Sequence, residues 1–176
     1  MYTILVPLIF ALLVSPARAD TGYKQLFSKA KGITVEDQIA IYRQLELKLA
    51  PDGQQFLSQY CENDPGPYNV EVVDLNKDGT PEIFVEGGNS CTSGVTGATM
   101  WLFIKSPSGY ESNLGFPAGK WTALADLSKG FPDLRLVAAT GPCDEVWRWN
   151  GEKYAHFRDI PTAKRGCKAH ILWSPE

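Results

Sequence analysis

The chain has 176 residues, 44% of them hydrophobic, with 17 Lys and Arg against 20 Asp and Glu for a formal net charge of −3. That length is enough for one domain with a substantial core. A mildly acidic balance without a basic cluster argues against nucleic acid or an anionic membrane surface as a partner.

Met1-Tyr2-Thr3 leads into an apolar stretch at 4–14, followed by Ser15-Pro16-Ala17-Arg18-Ala19. The stretch is short for a bilayer span, which needs roughly 20 apolar residues, but it suits the apolar region of a secretory signal. Ala17 and Ala19 place small side chains where a signal peptidase reads, so residues 1–19 are expected to be a signal peptide cleaved before Asp20. The segment before the apolar stretch lacks Lys and Arg. No Cys stands at the cleavage point and no second long apolar run follows, so no membrane anchor is expected. The expected organisation is a signal peptide at 1–19 and one domain at 20–176 with an N-terminal helix. The expected location is the periplasm.

Residues 34–49 read as a helix. Thr34 is placed to cap it, Glu36 and Asp37 suit the positive end of the helix dipole, and Ile39, Tyr42, Leu45 and Leu49 recur on one face. Shorter helices are expected at 23–31 and 54–60, the latter after the Pro51-Asp52-Gly53 break. From residue 69 onward, β-branched and aromatic runs alternate with Gly, Pro, Asn and Asp. Strands are expected at 70–75, 82–86, 99–105, 110–114, 121–124, 134–139, 145–149, 153–158 and 169–173. Asn150-Gly151 is a strong hairpin signal because both residues tolerate positive φ. Ser106-Pro107-Ser108-Gly109 reads as a second, looser hairpin turn. The fold class is therefore α+β, mainly β: an antiparallel sheet, partly propeller-like or a sandwich, with an N-terminal helical segment.

Four Cys, at 61, 91, 143 and 167, allow three pairings of two disulfides in an exported chain. Cys61–Cys91 and Cys143–Cys167 are preferred because each closes a loop within one half of the chain. No Cys or His spacing suggests zinc.

The segment Asp74-Leu75-Asn76-Lys77-Asp78-Gly79-Thr80-Pro81-Glu82 is the most specific stretch. Oxygen-bearing side chains at alternate positions, with a glycine for the sharp turn, suit a hard cation that takes 6–8 oxygen ligands. Asp74, Asn76, Asp78 and Glu82, with the Thr80 carbonyl, are the expected ligands of one structural Ca2+. An EF-hand is excluded, since Val85 stands where its last Glu ligand would be and strands flank the loop. The segment resembles the calcium loops of FG-GAP and VCBS-type β-propeller repeats, with about a dozen residues and one copy carrying the likeness. The resemblance implies a calcium ion pinning the turn and the strand after it.

Residues 87–98 form a long run of small polar residues between two strong strands. Held by Cys91 and rooted beside the calcium turn, such a run would be a stiff protrusion that loses little entropy on docking. Asn89, Ser90, Thr92, Ser93, Gly94 and Thr96 are the candidate partner-binding residues. Ser93-Gly94-Val95-Thr96 resembles the Ser-Gly loop with which periplasmic lysozyme inhibitors plug the lysozyme cleft. Together with the 74–82 turn and the Trp147-Arg148-Trp149-Asn150-Gly151 hairpin, it is similar to periplasmic immunity proteins. These neutralise peptidoglycan hydrolases delivered by bacterial type VI or type IV secretion. The likeness spans roughly residues 69–158. The family's Tyr four residues after the Ser is Gly97 here, which points to an amidase or another muramidase rather than lysozyme itself.

The resemblance implies an inhibitor that binds a peptidoglycan-degrading effector and plugs its active site with the 89–97 loop. Trp101, Trp121, Trp147 and Trp149 are candidate hot spots around that loop. No enzymatic activity is expected: neither His156 nor His170 has an evident catalytic partner, and no Gly-x-Ser-x-Gly or His-Glu-x-x-His motif is present. The rival reading is a calcium-stabilised structural or adhesion module that binds an envelope glycan or protein.

Overall fold

The structure is a computed structural model that describes residues 21–117, 119–137, 142–162 and Cys167. The expected signal peptide, His170 and the expected strand at 169–173 lie outside the described residues. A short helix α1, Gly22–Leu26, precedes α2, Val35–Leu45. Thr34 caps α2 as the sequence implies, its hydroxyl accepting the Asp37 amide at 3.1 Å. The helix ends at Leu45 rather than at 49. Glu46 turns into the left-handed region at φ 52°, and the chain continues as β1, Leu47–Leu49. Leu47 and Leu49 are two residues apart, a spacing that serves a strand as well as a helix face, and Leu47 is buried.

The segment expected as a helix at 54–60 is instead β2, Phe56–Ser58, paired antiparallel with β1 and with β3, Cys61–Gly66. Phe56 decides it by burying its ring in the core beneath α2, edge-on to Tyr42.

Two further antiparallel sheets follow. One runs in sequence order through β4 (Tyr68–Val73), β5 (Glu82–Gly87), β6 (Thr99–Ser106) and β7 (Gly109–Phe116). The other contains β8 (Lys120–Ser128), β9 (Phe131–Val137), β10 (Cys143–Trp149) and β11 (Tyr154–Pro161). The fold is mainly β, as expected, with short helices. β8 runs well beyond the expected 121–124 because Lys129 and Gly130, at φ 50° and 91°, make a tight turn of the hand that suits strand twist. The Asn150-Gly151 hairpin forms, with the Asn150 side chain accepting the Glu152 and Lys153 amides.

The β4–β7 sheet lies in the middle of the molecule. On one face, Ile83, Val85 and Phe103 pack against Leu26, Ile41, Tyr42 and Phe56. On the other, Phe84, Met100 and Leu102 pack against Leu134, Leu136 and Trp149 of the second sheet. β5 is thus covered on both faces, which is why Ile83-Phe84-Val85 is an unbroken apolar run rather than an alternating one. On the β8–β11 sheet, Asp133 and Asp144 are almost fully buried, and Arg148 and Arg135 respectively neutralise them. Buried charges of this kind persist only when paired and hydrogen-bonded.

Candidate metal turn and partner-binding loop

Both candidate sites hang on β5, one at each end. The 74–82 turn enters it and the 89–97 segment leaves it.

In the turn, Lys77 and Gly79 take positive φ, 62° and 87°, and curl the chain back on itself. Asp74 accepts the Asp78 and Gly79 amides through its two oxygens, at 3.1 and 2.9 Å. Asp78 accepts the Thr80 amide at 2.7 Å and the Asn76 side-chain amide at 2.8 Å, bonds that hold its carboxyl below the usual range. Glu82 opens β5 with only 2% of its surface exposed and accepts the Leu75 amide at 2.8 Å. Burial pushes its carboxyl up to about 7, and the charges of Asp78 and Asp74 add to the rise.

The expected ligands are therefore gathered in one turn, where their side-chain oxygens meet the turn's own amides. Among the described residues, no three acidic, Cys or His side chains converge as a ready-made metal cage. The donor chemistry nonetheless fits a hard cation. All the side-chain donors are oxygens, and a desolvated carboxylate that two neighbouring carboxylates repel is relieved by positive charge. A cleft of about 530 Å3 opens beside the turn, with Asp78, Glu82, Glu111 and Glu152 on its walls and Phe131 and Trp149 below.

At the other end of β5 the expected irregular loop is an ordered head. Asn89 caps a one-turn helix α3, Ser90–Ser93, by accepting the Cys91 and Thr92 amides at 2.9 and 3.1 Å, while the Thr92 hydroxyl accepts the Asn89 amide. A single 3-10 turn, Gly94–Thr96, follows. Cys91 is bonded to Cys61 of β3, and the Asn89 side chain donates to the Asp64 carbonyl at 2.7 Å. Gly88 is required here: at φ 116°, a Cβ on it would stand 2.4 Å from the Thr92 hydroxyl.

Of the six candidate partner-binding residues, Asn89, Thr92, Ser93 and Thr96 turn their side chains inward to this network. Ser93 is buried against Thr99 at 2.8 Å, and Thr96 donates to the Ser93 carbonyl at 2.6 Å. Ser90 and Gly94 face solvent. The head also presents Val95, 87% exposed. Sequence reasoning passed over Val95 by following hydroxyls; the signal was a lone apolar residue among glycines and hydroxyl residues. Trp101 borders a groove beside this head, whereas Trp121 is stacked on Phe84 and Trp149 is buried on Phe131.

The second cystine joins Cys143 to Cys167, so both preferred pairings are present. His156 lies 2.8 Å from Asp159 and edge-on to Trp147 on the surface of β11. Two cystines belong to an oxidising, extracytoplasmic setting, and no helix among the described residues is long and apolar enough to cross a membrane. Comparison with known proteins returned no matching family model, curated protein or solved structure.

Proposed function

We propose that the chain is a periplasmic inhibitor or immunity protein that occludes the active site of a peptidoglycan amidase or muramidase with its 89–97 head. One observation carries this reading. The head is set before any partner arrives, by the Cys61–Cys91 bond, the Asn89 capping box and the inward hydroxyls. A pre-set protrusion loses little entropy on docking. Its projecting Val95 and Ser90 form a small tip suited to a narrow cleft. The chain then works as a plug and needs no chemistry of its own.

The test is to co-produce the chain in the periplasm with the secreted hydrolase of its gene neighbourhood. Lysis should be prevented, and the purified pair should bind. Val95→Asp should abolish both without lowering the melting temperature. If the unaltered chain neither binds the hydrolase nor prevents lysis, the reading fails.

We further propose that the 74–82 turn holds one structural calcium ion through Asp74, Asn76, Asp78, Glu82 and the Thr80 carbonyl. The support is the buried Glu82 carboxylate beside two others. A bound cation would supply neutralising charge to three carboxylates that share a turn with the single cation Lys77. Calcium at about a hundred times its dissociation constant should stabilise the fold by roughly 2.7 kcal/mol. A melting temperature that does not differ between calcium and chelator would argue against the ion.

A further inference from the structure

A groove of about 320 Å3 runs between the head and the β2–β3 turn. Three aromatic side chains line it: Tyr60, Tyr68 and Trp101. Tyr60 sits on the turn next to Cys61 and is 84% exposed, an unusual position for a large ring in a chain with an ample core. Tyr68 and Trp101 stack with centroids 6.0 Å apart and planes tilted by 24°.

Glycines seat these two rings. Tyr68 pairs across the strands with Gly87, where a Cβ would come within 2.4 Å of the ring. Trp101 pairs with Gly115, where a Cβ would stand 3.0 Å from the indole. Each ring therefore lies down against its neighbouring strand instead of standing off the sheet. Covering bare backbone is one role for such rings, but it leaves their polar ends unexplained. Neither the Tyr60 and Tyr68 hydroxyls nor the Trp101 indole N–H makes a hydrogen bond among the described residues. Four other polar ends are engaged: Tyr110 on the Pro81 carbonyl, Tyr154 on the Pro132 carbonyl, Trp121 on Glu71 and Trp147 on Glu145. The Tyr23 hydroxyl and the Trp149 indole N–H share with the groove rings the lack of a hydrogen bond among the described residues. The groove also carries a hydrogen-bonded carboxylate and amide, Glu46 and Gln59.

We infer that this groove binds an N-acetylated glycan. A pyranose ring has an apolar C–H face that lies on aromatic surface and a rim of hydroxyls and acetamido carbonyls. That rim meets the free phenol and indole groups and the Glu46–Gln59 pair. The match is of flat apolar faces with unused polar ends at their margins, the property that makes Tyr and Trp recognition residues. The groove adjoins the head but does not depend on the inhibitor reading, because glycan binding requires no hydrolase.

The test uses the full disulfide-bonded chain and a tetramer of N-acetylglucosamine, followed by calorimetry and tryptophan fluorescence. Binding is expected, with a change in fluorescence. Tyr60→Ala should weaken it about tenfold, the scale of one aromatic contact, at an unchanged melting temperature. Trp101→Phe keeps a ring but removes the donor and should weaken binding too. Leu127→Ala, at an exposed position on the other sheet, should bind as the parent does. Absence of tetramer binding, or Tyr60→Ala binding as tightly as the parent, overturns the proposal. So does a result in which Tyr60→Ala weakens only hydrolase binding, since the groove is then a protein interface.

Discussion

The two turns at the ends of β5 solve the same problem with opposite chemistry. Each must hold an irregular, largely polar segment in one shape at the end of a buried strand. The 74–82 turn does so with carboxylates closed on backbone amides. The 89–97 head does so with neutral hydroxyls, an amide cap and a cystine. The first arrangement concentrates negative charge and leaves Glu82 buried with its carboxyl pushed up to about 7. The second is electrically neutral and complete within itself. A turn built on charge responds to pH and cations. A turn built on covalent and neutral hydrogen bonds responds to reduction and to the loss of a single cap.

The largest expected effect lies in the head. The Cys61–Cys91 bond joins residues 30 apart, and for a loop of that length the chain-entropy estimate is about 3.6 kcal/mol. Replacing both Cys by Ser should lower the unfolding free energy in urea by about that much. A loss well under 1 kcal/mol would mean that the hydrogen bonds alone hold the head.

Next comes the turn. Burial raises the Glu82 carboxyl from the ordinary value of 4.5 to about 7 in the fold. The folded form therefore keeps a proton that the unfolded chain releases between those values. The contribution of Glu82 should be fully present below about pH 4.5 and be lost as pH rises through 7, by on the order of 3 kcal/mol without calcium. Carboxyls held low, such as Asp78, act in the opposite sense at acid pH. Glu82→Gln should flatten that slope, and so should added calcium. A slope that survives Glu82→Gln would place its origin elsewhere.

A smaller effect is expected at the cap. Asn89→Ala should cost about 1 kcal/mol, as read by denaturant midpoints. Asn89→Asp should restore only part of it, because it keeps the cap but loses the donor to the Asp64 carbonyl. Smallest of all, Val95→Asp should leave stability within about 0.5 kcal/mol while removing inhibition. That separation would sharpen the view that the head's interior holds shape and its tip makes contact.

The strands were legible where a half-buried or fully buried sheet leaves a plain signature. Ile83-Phe84-Val85 and the Asn150-Gly151 hairpin are clear cases, and the Thr34 cap fixed the start of α2. What escaped were segments whose state tertiary contacts decide. Leu47–Leu49 fits a helix face as well as a strand, and only the left-handed Glu46 and the pairing with β2 separate the two. Phe56–Ser58 is too short for periodicity to speak, and the burial of one ring settles it. That Asp74, Asn76, Asp78 and Glu82 gather in one turn was legible because their spacing is local. The inward turn of Thr92, Ser93 and Thr96 was not, because a hydroxyl reads alike in sequence whether it faces solvent or a neighbour. Tyr60, Tyr68 and Trp101 come together only through pairing across strands and through the cystine, so no local pattern marked them.

β5 spans six residues, Glu82–Gly87, between the two turns. At the usual rise of a strand it acts as a ruler of about 20 Å. In physiological salt the reach of an exposed charge is about 8 Å. A molecule docked on the head is therefore electrostatically blind to the acidic turn. If the proposed ion binds the turn, its gain or loss would alter the stability of the fold and not the charge felt at the head.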